Sequence, residues 1–167
     1  MTVTATYDSP LGPLLLAAEG NALTGLWLPG QKYFAAGLGS DTVEDGDAPV
    51  LRAAADWLDA YFAGVRPEFS ALSLAPRGSE FQRLVWSLLR DIPYGETTTY
   101  GALAAEAEKR LGRRTSARAV GAAMGRNPIS ILIPCHRVLG AKGSLTGYAG
   151  GLEKKTWLLR HEGAMMF

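Results

Sequence analysis

Chemistry in this chain concentrates in the stretch Ile133-Pro134-Cys135-His136-Arg137-Val138. Cys135 is the single cysteine of 167 residues, and a histidine and an arginine follow it directly. Either cation beside a thiol favours the thiolate and lowers its pKa below the free value of about 8.5. A thiolate is the nucleophile for both acyl and alkyl transfer. On an extended chain, adjacent side chains point to opposite faces, so His136 is expected to act on Cys135 through a water. The competing reading is an inert buried cysteine with a histidine beside it, which is the default for an arbitrary Cys-His pair. The apolar run Ile129-Ser130-Ile131-Leu132-Ile133 just before it should be buried.

A lone cysteine excludes an internal disulfide and a four-cysteine zinc site, and no metal or cofactor is expected. No apolar run reaches the ~18 residues of a membrane span. The N-terminus lacks a basic stretch followed by an apolar segment, so no secretory signal is expected. A free thiol without export signals fits a reducing cytosol, and a cytoplasmic location is the expectation. Hydrophobic residues at 47% and charged residues at 20% describe a packed globular protein. The length suits one domain or two small ones.

The net charge of +1 hides a division. Residues 1–75 carry three bases and nine acids, a charge of −6, whereas residues 76–167 carry fourteen bases and seven acids, a charge of +7. Such asymmetry suggests that the second half meets an anion, nucleic acid above all, though a solvated basic surface would look the same.

The elements that must position Cys135 follow from patterning. Val3–Tyr7, Leu14–Ala18 and Leu23–Leu28 read as strands, with turn chemistry at Asp8-Ser9-Pro10-Leu11-Gly12-Pro13. The polar, Gly/Asp-rich residues 37–48 read as a loop. Leu51, Ala54, Trp57, Leu58, Tyr61 and Phe62 share one helical face, with Gly64 at the stop. Ala75-Pro76-Arg77-Gly78 is a linker where the charge changes sign. Ser79 and Gln82 form a capping box before Phe81, Leu84, Val85, Leu88 and Leu89. A second helix is predicted from Thr99 to Leu111 with Gly112 as its stop, and a third from Ser116 to about Met124. Together they make a helix-turn-helix candidate, a weak signal alone because most helix pairs are merely packed. Leu152–Glu162 reads as a closing helix stopped by Gly163.

Pro134-Cys135-His136-Arg137-Val138 resembles the active-site signature of the O6-alkylguanine-DNA alkyltransferases, the methylated-DNA–protein-cysteine methyltransferases. Ile92-Pro93-Tyr94-Gly95-Glu96-Thr97 through Tyr100 resembles the family's entry to its helix-turn-helix, and Ala117–Met124 its recognition helix. Asn127-Pro128 before an active-site strand, Gly147-Tyr148-Ala149-Gly150-Gly151-Leu152 and Leu158–Gly163 complete the order. The likeness is dense over 79–163 and loose over the first 75 residues.

The resemblance implies an α/β N-terminal part, a ribonuclease-H-like small sheet plus helix over 1–75. A mostly α domain with the helix-turn-helix, binding DNA and accepting the alkyl group, follows over 76–167. It implies direct-reversal repair, a stoichiometric and irreversible transfer from guanine O6 in duplex DNA to Cys135 after the nucleotide is flipped. His136 would activate Cys135 through a water, Glu162 would polarise His136, and Asn127 would tie the recognition helix to the active-site turn. Tyr100, Met124, Val138, Tyr148, Ala149 and Gly150 would meet the base. Arg118 would fill the gap it leaves, with Ser79, Ala117, Gly121, Arg126, Arg113 and Arg114 also on DNA. The implied partner is double-stranded DNA carrying O6-alkylguanine, and the implied state a monomer, with clustering on DNA left open.

Two departures stand out. The stretch 106–115 looks longer than the family's usual turn and adds Lys109, Arg110, Arg113 and Arg114, and Ala149 stands where several members carry a small hydroxyl residue. Two other readings compete. A non-enzymatic alkyltransferase-like damage sensor would lack the acceptor cysteine. An unrelated Cys-His hydrolase would leave Arg118 and the basic second half unexplained.

Overall fold

The computed structural model describes residues 1–68 and 72–165, in two compact units. The first comprises Met1–Arg77 with Pro128–Ser130, and the second Gly78–Asn127 with the chain from Ile131 onward.

In the first unit β1 (Thr2–Ser9), β2 (Gly12–Glu19) and β3 (Ala22–Trp27) form an antiparallel meander. Ser9 closes the first hairpin: its hydroxyl donates to the Gly12 carbonyl at 2.7 Å and accepts from Leu11 N–H at 3.0 Å. A fourth strand, β4 (Thr42–Glu44), adds parallel to β1 and gives the order β3-β2-β1-β4. That strand corrects the expectation of a loop over 37–48. Its three residues carry no apolar alternation because Val43 and Glu44 are exposed, and what holds them is the backbone ladder to an open sheet edge.

Helix α1 (Pro49–Phe62) buries Leu51, Ala54, Trp57, Leu58 and Tyr61, as their spacing demands, while Phe62 stays half-exposed. The Tyr7 hydroxyl donates to Asp59 at 2.6 Å and fastens β1 to this helix. Although they lie far along the chain, residues 128–130 belong to this unit. Leu26 N–H donates to Pro128 O at 2.8 Å, and Ser130 N–H to Leu26 O at 2.9 Å.

The second unit is mostly helical. Helix α2 (Glu80–Arg90) starts with the expected capping box, in which Ser79 Oγ accepts from Gln82 N–H and Gln82 Oε1 from Ser79 N–H. Its inward stripe buries Val85, Trp86, Leu88 and Leu89. Helix α3 (Tyr100–Leu111) is capped by Thr99 and stopped by Gly112, whose φ of 69° is in the left-handed region that glycine enters freely. Helix α4 (Ala117–Gly125) is capped by Ser116. The turn between α3 and α4 is therefore residues 112–116. The apparent extra length of 106–115 is mostly helix, since Glu106–Leu111 are good helix formers that extend α3. Helices α2, α3 and α4 pack on one another, with Trp86 Nε1 donating to Ala123 O at 2.9 Å.

Two-residue strands β5 (Thr98–Thr99) and β6 (Val138–Leu139) pair in parallel, and α5 (Leu152–His161) closes the unit. No described helix is long and apolar enough to cross a membrane.

Candidate functional site

The run 129–133 is buried throughout, but it turns instead of forming a strand, with Ile129 in an isolated bridge. Ile131 sits at φ 71°, a left-handed conformation that a β-branched residue adopts only when its surroundings enforce it. The chain then enters a single 3-10 turn, Cys135–Arg137, with Arg137 N–H donating to Pro134 O at 3.0 Å. The extended geometry expected at Cys135-His136 is thus replaced by a turn. A 3-10 turn rotates successive side chains by a third of a circle instead of half. His136 and Arg137 consequently converge on one acceptor at the end of α5.

That acceptor is Glu162. His136 Nε2 lies 2.7 Å from Glu162 Oε2, Arg137 Nε donates to Oε1 at 2.7 Å, and Arg137 Nη2 donates to Oε2 at 3.1 Å. Arg137 Nη1 donates to Ile92 O at 2.7 Å, and its guanidinium lies 5.7 Å from the Tyr94 ring centroid. His136 is fully buried, and its Nδ1 has no hydrogen-bond partner among the described residues. Burial alone would raise the Glu162 pKa, but hydrogen bonds and charges from His136 and Arg137 outweigh it and hold the carboxyl well below the usual range. Burial pushes the His136 pKa down, against the pull of Glu162.

Cys135 is buried, and the Asn127 side-chain amide donates to its Sγ at 3.3 Å and to Ile133 O at 2.8 Å. Asn127 follows the α4 cap residue Arg126, so one side chain links the end of α4 to the cysteine turn. Burial raises the thiol pKa, opposed by the Asn127 bond and the charge of Lys155. This corrects the expectation that flanking cations lower it. Arg137 is committed to Glu162 and Ile92, and burial favours a neutral His136 and a protonated thiol. A thiol that is to act as a nucleophile needs a base at the moment of reaction.

Lys155 escaped the sequence reading. It is fully buried on α5, and its Nζ donates to Val138 O at 2.6 Å, Thr146 O at 3.0 Å and Gly147 O at 3.1 Å. Burial lowers its pKa to about 8. A signal was present: Lys155, Leu158, Leu159 and Glu162 stand at i, i+3, i+4 and i+7 on one helical face.

The Tyr100 hydroxyl donates to two of the same carbonyls, Thr146 O at 3.2 Å and Gly147 O at 3.4 Å. Tyr148 lies edge-on to His136 with ring centroids 6.4 Å apart. Val138 is fully buried directly after the 3-10 turn, Met124 is buried on α4, and Ala149 and Gly150 lead into α5.

The residues expected on DNA lie elsewhere in the unit. Ala117 and Arg118 are exposed in the first turn of α4, and Gly121 is half-buried against Tyr100. Arg126 is exposed at its far end, and Arg113 and Arg114 are exposed in the turn before it. Ser79 is occupied in capping α2.

Comparison with known proteins gives a consistent result. A family model described as 6-O-methylguanine DNA methyltransferase, DNA binding domain, matches residues 80–164. One described as 6-O-methylguanine DNA methyltransferase, ribonuclease-like domain, matches residues 2–76. The methylated-DNA–protein-cysteine methyltransferase of Methanosarcina acetivorans is 46% identical over 165 residues, 96% of this chain and 97% of that protein. The protein of the same name from Mycobacterium tuberculosis (strain H37Rv) is 48% identical over 157 residues, covering 94% and 90%. The crystal structure of Mycobacterium tuberculosis OGT in complex with DNA superposes with a TM-score of 0.83 at 45% identity, covering 97% of this chain and 93% of that one.

Proposed function

The chain belongs to the 6-O-methylguanine DNA methyltransferase family, and on that premise we propose that Cys135 is the atom-accepting residue of a single-turnover, direct-reversal DNA repair reaction. The observation that carries this residue assignment is the buried cluster of Cys135, Asn127, His136 and Glu162 on one 3-10 turn and two helix ends. The non-enzymatic sensor reading is not favoured, because the chain retains the cysteine and its full-length relatives are named methyltransferases.

In this mechanism the helix-turn-helix binds duplex DNA carrying O6-alkylguanine, and the damaged nucleotide turns out of the stack at a cost of a few kcal/mol. Arg118, exposed near the start of α4, fills the gap. Arg113, Arg114, Ala117, Gly121, Arg126 and Ser79 meet the backbone around it. The base enters a pocket formed by Tyr100, Met124, Val138, Tyr148, Ala149 and Gly150. Tyr100 exchanges its carbonyl partners for the base.

Neutral His136 takes the Cys135 proton through a bridging water, and Glu162 steadies the imidazolium. Sγ then attacks the alkyl carbon. An S–C bond forms, the C–O6 bond breaks with its electron pair going to O6, and the proton held on His136 returns to the guanine. Donors aimed at the base, Tyr100 among them, relieve the developing charge. The product thioether has no carbonyl for water to attack, so each molecule reacts once. A free acceptor thiol fits a reducing compartment, and the proposed setting is the cytoplasm, with the protein acting as a monomer.

Intact-mass measurement tests the assignment. Incubation with O6-benzylguanine, or with methylated duplex DNA, should add one alkyl group per chain. Cys135→Ser should show none while still binding DNA. An adduct on that variant, or more than one turnover per chain, defeats the proposal.

A further inference from the structure

Arg137 has no part in the mechanism above, yet its buried side chain makes three hydrogen bonds, as many as Lys155 makes. Its side chain is 1% exposed, and its three nitrogens reach Glu162 Oε1, Glu162 Oε2 and Ile92 O. A guanidinium cannot deprotonate in a protein, so this is a permanent charge locked against the carboxylate.

The charge of Glu162 decides which nitrogen of His136 carries the proton. An ionised carboxylate only accepts hydrogen bonds. The 2.7 Å contact with His136 Nε2 then requires the proton on Nε2 and leaves a lone pair on Nδ1. A protonated Glu162 would reverse this, donating to Nε2 and leaving Nδ1 with the proton and no basic lone pair. His136 Nδ1 is the buried atom without a partner among the described residues.

We infer that Arg137 is a positioning residue for the transfer: its fork keeps Glu162 a carboxylate, and so fixes His136 with the proton on Nε2 and the basic lone pair on Nδ1. This rests on reading His136 as the base that serves Cys135. The groups facing His136 are Glu162, Arg137, Lys155 and the Tyr148 ring. Burial disfavours the imidazolium most, Glu162 favours it, and Arg137 and Lys155 oppose it. Removing Arg137 takes away two donors that hold the carboxylate and one cation that opposes the imidazolium, so the His136–Glu162 pair takes up a proton at higher pH. Whether that proton sits on Glu162 or on His136, Nδ1 then carries a hydrogen and His136 is no base.

Two measurements test this. The chain has two histidines, so ring-nitrogen NMR of histidine-labelled protein, assigned with His161→Gln, reads the tautomer directly. At neutral pH the wild-type His136 should show an unprotonated Nδ1 and a protonated Nε2. Separately, the single-turnover rate with free O6-benzylguanine falls in acid as His136 protonates. In Arg137→Met that fall should move up by about one pH unit or more. Arg137→Lys, which keeps a cation beside the carboxylate, should bring it back toward the wild-type position.

A protonated Nδ1 in the wild type overturns the inference. So does an unmoved pH profile in Arg137→Met, which would mark Arg137 as structural support, or a lysine variant displaced as far as the methionine one. If Arg137→Met does not fold, Arg137→Gln, which keeps hydrogen-bond donors without the charge, takes its place in the same pH profile. Failure of the acceptor assignment is distinguishable, because it would appear as a missing adduct on Cys135 with the tautomer unaffected.

Discussion

Replacing Arg113 and Arg114 together by alanine tests how the basic turn meets DNA. Four bases lie between 109 and 114, but the structure sorts them into two pairs. Lys109 and Arg110 stand in the last turn of α3, where they complement the helix dipole and lie 3.9 and 3.5 Å from Glu106. Arg113 and Arg114 stand exposed in the turn that leads into α4. Glu108 Oε1 accepts from Thr115 N–H at 3.1 Å and fixes the turn's backbone. Each phosphate contact on duplex DNA contributes about 0.9 to the slope of log K against log salt, so the double variant should flatten that slope by about 1.8. Between about 50 and 200 mM salt, its affinity should then fall by about tenfold less than the wild type's. The companion Lys109→Ala/Arg110→Ala variant also frees Glu106, and it should change the slope by less. Fluorescence anisotropy with a labelled duplex across that salt range measures both. The rate with free O6-benzylguanine should not change in either. An unaltered slope in Arg113→Ala/Arg114→Ala would refute phosphate contact and leave the turn a solvated surface.

Glu162→Gln removes the charge that three buried donors share, leaving Arg137 uncompensated at a cost of about 3–5 kcal/mol near neutral pH, readable by urea unfolding. The Glu162 pKa is depressed in the folded chain, so its stabilisation is complete above an unfolded value of about 4.3 and is lost as pH falls toward the folded value. The gap between wild type and variant should narrow below about pH 4 by about 1.4 kcal/mol per pH unit, and a constant gap would mean that the carboxyl is not held down as described. Arg118→Ala should keep most of its duplex affinity and react slowly with methylated duplex, but normally with free O6-benzylguanine, which needs no flipping. Equal slowing on both substrates would reassign Arg118 to support of the pocket or the fold.

The sequence by itself determined the elements whose signals are local. The capping box at Ser79, the helix starts near Thr99 and Ser116, the stop at Gly112 and the inward stripe of α1 depend on neighbours within a turn or two, and they appear as read, whereas α2 buries Trp86 in place of Phe81 and Leu84. The ordered motifs around Cys135 likewise specified the family, since family membership is carried by residue identity and order.

Tertiary structure decided everything that depends on residues far apart in the chain. Strand β4 exists because β1 offers an open edge, and residues 128–130 join the first unit through two backbone bonds to Leu26. The chemistry at Cys135 changed most. From adjacency, Arg137 looked like a cation for the thiol, but the 3-10 turn carries it to Glu162, twenty-five residues on. Lys155, on the same closing helix as Glu162, supplies the charge near Cys135 instead. A pKa follows from burial and from charges within a few ångströms, and neither is fixed by separation along the chain. Sequence therefore names the proposed nucleophile's residue type, while only the fold sets which charges and hydrogen-bond partners surround it.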